Sequence, residues 1–163
     1  PSVKAPNNRE ALRNALKNNQ IDIIATDHAP HTRAEKSLPY PEAPAGIPLI
    51  QHSFQLMLEL ANKDIFTIEE VIKFASHNTA DRFKIIDRGY VREGYFADLV
   101  VFETGIKHTV TNEEQKSKCG WTPFEGWELS SKVISTIVNG SVLLEDGKLY
   151  PERRSSERLV FNK

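Results

Sequence analysis

Apolar residues recur along this chain with two different periods, and the change between them divides it. Leu12, Ala15 and Leu16 fall at i, i+3 and i+4, which predicts an amphipathic helix ending near Asn18 and Asn19. Asn7 or Asn8 is its expected N-cap, and Asn7 with Glu10 has capping-box spacing. Ile50, Phe54, Met57, Leu58 and Ala61 predict a second helix with a wide apolar face. Thr67 and Glu70 form a capping box for a third helix, with Ile68, Val71, Ile72 and Ala75 at helical spacing. Between the first two helices, residues 21–25 are a short run rich in β-branched Ile, too short for a helix and read as a buried strand. After Arg88 the pattern becomes β. Residues 97–102 form one strand, and residues 133–138 and 141–145 form a hairpin around Asn139-Gly140, a pair suited to a type I′ turn. Asp146-Gly147 marks a further turn before Leu149-Tyr150.

Helix, short turn, strand and polar loop make one αβ step of a barrel. The polar loop carries the candidate chemistry. Asp27, His28 and His31 arrive together where the run 21–25 ends, and Pro30 excludes a helical reading of their spacing. Barrel enzymes keep catalytic groups at that rim. On residue types alone, a capping Asp and two solvated loop histidines fit as well. The following loop, Thr32 to Pro48, contains Pro39, Pro41, Pro44, Pro48 and Gly46, and a connection this long is usually functional or disordered. Gly46 is either a plain turn glycine or a point of close backbone approach. His52 lies off the apolar face of its helix and reads as a surface or cap residue. Asp98 reads as a strand-entry acceptor. Cys119 has no Cys or His at zinc spacing and is taken as an incidental thiol. Trp121, Phe124 and Trp127 are expected mainly to bury aromatic area.

Thr26-Asp27-His28-Ala29-Pro30-His31 resembles the last-strand signature of dihydroorotases, in the cyclic amidohydrolase branch of the metal-dependent (β/α)8 barrels. Further segments are similar in order: the proline-bounded lead-in Pro1 to Pro6, Ala43-Pro44-Ala45-Gly46-Ile47, and Ser76-His77-Asn78-Thr79-Ala80, where Thr79 departs from a usual Pro. Ala97-Asp98-Leu99-Val100, Thr122-Pro123-Phe124 and the basic-apolar tail from Glu157 continue the series. The resemblance implies an α/β fold, with the C-terminal part of a (β/α)8 barrel over residues 1–84 and a small accessory β-sandwich domain over residues 85–163. It implies that Asp27 is both a metal ligand and the catalytic proton carrier. His31 would bind the substrate carboxylate, aided by the backbone of Ala45 and Gly46. The cofactor would be zinc, two ions in the full-length enzyme, with the other ligands upstream of this chain. The substrate pair would be dihydroorotate and carbamoyl aspartate, interconverted in pyrimidine biosynthesis. An allantoinase or hydantoinase, or a catalytically dead assembly subunit, are the alternatives. His31 argues against the first, because an uncharged ring needs no carboxylate partner.

Composition adds bounds. With 21 Lys and Arg against 22 Asp and Glu, the net charge is −1, so neither nucleic acid nor an anionic membrane is expected as a partner. A homo-oligomer remains compatible. No apolar run reaches the roughly 18 residues of a membrane span. The lone cysteine fits a reducing compartment, and a cytoplasmic location is expected. A full barrel needs about 250 residues against the 163 present, so the chain is expected to be the C-terminal fragment of an enzyme, inactive on its own.

Overall fold

The computed structural model describes residues 5–153 and 156–162. The first four residues of the lead-in and the last residue of the tail lie outside these. Helices occupy the first half: α1 Pro6–Lys17, α2 Arg33–Lys36, α3 Ser53–Asn62, α4 Ile68–Ile72 and α5 Asn78–Phe83, with a π-helical stretch Lys73–His77 joining the last two. Strands β1 Leu99–Thr109, β2 Glu128–Val138, β3 Ser141–Glu145 and β4 Lys148–Leu149 form one antiparallel sheet in chain order. Among the described residues a helical part precedes one antiparallel sheet, a segregated order rather than the alternating α/β order expected. The described residues contain this single sheet, not two stacked ones.

Helix α1 starts two or three residues earlier than expected. Its N-cap is Ala5, with Pro6 in the first turn and no side-chain cap bond. Proline at that place is pre-set for helix and its missing N–H is no loss, so the Asn7–Glu10 box is not used. The third helix opens on the expected box: the Glu70 N–H donates to Thr67 Oγ1 at 3.1 Å, and the Thr67 N–H to Glu70 Oε2 at 2.8 Å. The Asn139-Gly140 hairpin also stands, both residues having positive φ (46° and 77°), as a type I′ turn demands. Asp98 accepts from the Asn139 N–H at 2.8 Å and pairs with the buried Arg88 guanidinium, so it does hold the entry to β1.

Leu16, Met57, Leu58, Phe66, Val71 and Phe74 form the core, with Ile21, Ile24, Phe54 and Phe102 packed against it. Phe102 comes from β1 and meets Phe54 of α3 edge to face at 5.2 Å. Helix α3 lies on β2, where buried Gln55 donates to the Ser131 carbonyl at 2.9 Å and Ser130 Oγ to Glu59 at 2.7 Å. Helices and sheet therefore share one packed layer boundary. The apolar stripes are less covered than their periodicity implied: Leu12 is 52% and Ile50 61% exposed.

The expected strand at residues 21–25 is a correction. No strand is present there. Among the described residues no strand lies alongside to exchange backbone bonds, and a strand needs such a partner. The segment leans on the third helix instead. The Ile24 N–H donates to the Phe74 carbonyl at 3.3 Å, and Asn78 Nδ2 donates to the Asp22 carbonyl at 2.7 Å. Phe74 sits in the π-helical stretch, where the wider turn leaves backbone groups open to outside partners.

His52 is a second correction. It does occupy the N-cap position of α3, but it is only 2% exposed. Phe124 meets its ring edge-on at 5.9 Å, and Thr122 Oγ1 lies 3.5 Å from its Nδ1. The covering residues lie 70 positions away, beyond the reach of a helical wheel. Burial holds the His52 pKa below its usual value, His108 adds to this, and Glu114 opposes it. The folded state thus prefers the neutral ring. Its stabilisation is present above the unfolded pKa near 6.5 and is lost as pH falls through the lower folded value. We expect the melting temperature to drop between about pH 7.5 and about pH 5.5, and to drop less in His52→Gln. Thermal melts over that range check this; identical pH profiles for the two proteins would contradict it.

Candidate functional site

The signature segment and the proline-rich loop were expected to act together, and the fold places them side by side. The Ala29 N–H donates to the Ile47 carbonyl at 3.1 Å. Gly46 has φ +94°, and a Cβ built on it would lie 2.5 Å from the Ala29 Cβ. Both uses of glycine, positive φ and close approach, thus coincide at this residue. His28 supplies a further tie: its Nδ1 accepts from the Leu49 N–H at 3.0 Å and the Ile50 N–H at 3.2 Å. Nδ1 therefore serves as the acceptor of the imidazole in this arrangement. His28 is a structural brace between the two segments.

Asp27 and His31 flank this brace. Asp27 adopts φ +49°, a left-handed conformation that Asp tolerates better than most residues, and it is exposed. Its carboxylate makes no hydrogen bond or ion pair among the described residues. The His31 backbone is held at both ends: its N–H donates to the Ala29 carbonyl at 2.9 Å, and its carbonyl accepts from the Trp121 indole at 2.8 Å. The imidazole of His31 has no hydrogen-bond partner among the described residues. The N–H groups of Ala45 and Gly46 likewise have no acceptor there. One carboxylate, one imidazole and two backbone donors thus remain open to a ligand, on segments bonded to each other.

The loop after His31 is more ordered than its prolines suggested. Thr32 caps α2 with a complete box: the Thr32 N–H donates to Glu35 Oε2 at 2.7 Å, and the Glu35 N–H to Thr32 Oγ1 at 3.3 Å. The Thr32 hydroxyl and N–H hold the Glu35 carboxyl below the usual carboxylate range. Lys36 Nζ then donates to the Pro44 carbonyl at 2.6 Å, pinning the loop on itself. Sequence reasoning missed this helix. The Thr-x-x-Glu spacing at residues 32–35 would have shown it.

Among the described residues, no three His, Cys, Asp or Glu side chains come together in a metal-binding group. The residues present therefore do not fit a zinc site by themselves; Asp27 is one hard oxygen donor, and zinc needs three or four protein ligands. Cys119 lies 3.3 Å from Ser117 Oγ and 3.6 Å from the Trp121 carbonyl, inside its own loop.

Gly46 gives a direct test of the arrangement. Gly46→Ala places a methyl group against Ala29 and forces an L-residue to positive φ, which we expect to cost about 1–3 kcal/mol of stability. Denaturant titration measures it, and an unchanged midpoint would show that the two segments do not touch as described.

The sequence matches the Amidohydrolase family over residues 2–143. It is 41% identical over 147 residues to a dihydroorotase of Clostridium acetobutylicum, covering 90% of this chain and 34% of that protein. To a dihydroorotase of Pyrococcus horikoshii it is 38% identical over 160 residues, 98% of this chain and 36% of that protein. A solved D-hydantoinase (dihydropyrimidinase) from Thermus sp. superposes with a TM-score of 0.86 at 27% identity, covering 94% of this chain and 34% of the other. The chain spans about a third of the length of the relatives it matches. Carried by a match over most of its length, the chain belongs to the amidohydrolase family.

Proposed function

We propose that these residues form one third of a dihydroorotase, which opens and closes the cyclic amide of dihydroorotate and carbamoyl aspartate in pyrimidine biosynthesis. In this reading residues 1–84 are the last part of a (β/α)8 barrel and residues 85–163 belong to a small β-sandwich domain. Among the described residues every helix precedes residue 84 and every strand follows it, which supports the division. Asp27 is the catalytic group and one ligand of a zinc centre of two ions, whose other ligands lie outside these residues. Zinc in such a site supplies Lewis acidity.

Asp27 takes a proton from the attacking water and returns one to the ring nitrogen as the amide bond breaks, a task for a carboxylate within hydrogen-bond reach of both. His31 donates to the substrate's carboxylate. The N–H groups of Ala45 and Gly46 donate to the same anion and fix the ring over Asp27. The observation that carries the reading is the tie between the segments: Gly46 against Ala29, with the Ala29 N–H on Ile47. It ties the loop that carries the anion-binding donors of this reading to the segment that carries Asp27. The partner is a small-molecule substrate of a cytoplasmic enzyme, which we take to form a homo-oligomer; no described helix is long and apolar enough to cross a membrane.

The solved D-hydantoinase favours a second reading, an amidohydrolase of neutral rings. The higher identity to dihydroorotases and the open His31 imidazole favour the acidic substrate. Steady-state hydrolysis of dihydroorotate and of hydantoin by the full-length, metal-loaded protein decides between them. Turnover of dihydroorotate well above that of hydantoin is expected; the reverse preference would move the assignment to the hydantoinases.

A further inference from the structure

Residues 110–127 form a loop that the proposed chemistry does not use. Its base is closed by Val110, fully buried, whose N–H donates to the Trp127 carbonyl at 2.9 Å, while its carbonyl accepts from the Gly126 N–H at 2.9 Å. Inside, the Thr122 N–H donates to Asn112 Oδ1 at 2.9 Å, and the Phe124 N–H to Thr122 Oγ1 at 3.3 Å. Gln51, just before α3, grips the loop twice. Its Nε2 donates to the Glu114 carbonyl at 3.0 Å, and its Oε1 accepts from the Lys116 N–H at 2.8 Å. Buried His52 and Thr122 close the same contact. The loop is therefore fixed to the chain that follows Pro48, which the signature segment also braces through His28.

From this anchored loop, Trp121 reaches across to donate its indole N–H to the His31 carbonyl at 2.8 Å. The Arg33 guanidinium lies 5.9 Å from the centre of the same indole, within the range of a cation–π contact. The indole is thus held on its face as well as at its nitrogen. With the Ala29 bond on its N–H side, His31 has its backbone fixed at both ends. Its imidazole can then point in only a few directions.

We infer that Trp121 is a positioning residue for anion recognition: its indole N–H fixes the His31 backbone and thereby aims the imidazole at the carboxylate of the substrate. This deepens the dihydroorotase reading and rests on it. Trp121 touches no reacting atom. Its influence should appear in substrate affinity, and only for rings that carry a carboxylate.

Trp121→Phe keeps an aromatic ring in the loop and removes the donor. In the full-length, metal-loaded protein, kcat/KM for dihydroorotate should fall about five- to tenfold, the scale of one lost hydrogen bond. The loss should lie mostly in KM. Hydrolysis of hydantoin should be unchanged, and the melting temperature should fall only slightly, as the loss of one hydrogen bond requires. Equal losses on both substrates, or none on dihydroorotate, would overturn the inference. A second readout does not depend on activity. The indole N–H signal that disappears in Trp121→Phe should exchange slowly with solvent in the unmodified protein, and exchange at the rate of a free indole would show that the bond to His31 is not made. If the unmodified protein does not open dihydroorotate, the dihydroorotase reading fails and the affinity role with it. The indole signal still separately decides whether the clamp exists.

Discussion

Asp27→Asn is expected to lower kcat for dihydroorotate by a factor of 10² or more at matched metal content, the scale of a lost general acid–base group. The substitution isolates chemistry from folding unusually well. Asp27 is exposed and sits at φ +49°, a conformation that Asn accepts at least as readily. Its carboxylate supports no bond among the described residues, so stability should change by less than about 0.5 kcal/mol. Activity within about threefold of the unmodified enzyme would remove Asp27 from the catalytic role.

His31→Ala carries the next largest effect. An imidazole with no hydrogen-bond partner among the described residues, on a backbone fixed at both ends, suits a ligand contact. Removing it leaves the substrate carboxylate without its side-chain donor and lets the ring sit loosely. We expect a loss of roughly 2–4 kcal/mol in kcat/KM, the scale for truncating one partner of a buried charge-assisted bond. KM should rise and kcat should fall together, because poor orientation slows the chemistry as well. Steady-state kinetics at saturating and subsaturating dihydroorotate separate the two contributions.

Much of the local structure could be read directly from residues. Thr67 with Glu70 fixed a helix start, and Asn139-Gly140 fixed a hairpin, because each depends only on neighbours within three or four positions. Met57, Leu58, Val71 and Phe74 are buried, although only the first three stood out from periodicity. The π-helical stretch shifts the register after Ile72, so that Phe74 turns inward while Ala75 is exposed. Nothing in the side-chain pattern signals a π turn. Residues 21–25 failed for a different reason. β-branched content predicts a willingness to be a strand, but the hydrogen-bonded partner must come from elsewhere in space.

The contact between the candidate site's segments was only partly legible in the sequence. Asp27, His31, Ala45 and Gly46 were singled out through a resemblance, and the fold sets their segments in contact. The braces were not legible. His28 bonding to the N–H groups of Leu49 and Ile50 spans 21 and 22 positions, Gln51 to Glu114 spans 63, and Trp121 to His31 spans 90. Such contacts depend on tertiary placement and leave no local signal. His28, grouped by residue type with Asp27 and His31, is a brace, while Trp121 looked like general aromatic packing and makes a specific bond.

The central claim is that the cradle beside Asp27 recognises a carboxylate. The ratio of kcat/KM for dihydroorotate to kcat/KM for hydantoin, measured in the full-length enzyme before and after His31→Ala, tests it most directly. The ratio should collapse by roughly 30-fold or more, as 2–4 kcal/mol lost on one substrate alone requires. A ratio that stays constant while both activities fall would contradict the claim and make His31 part of the framework.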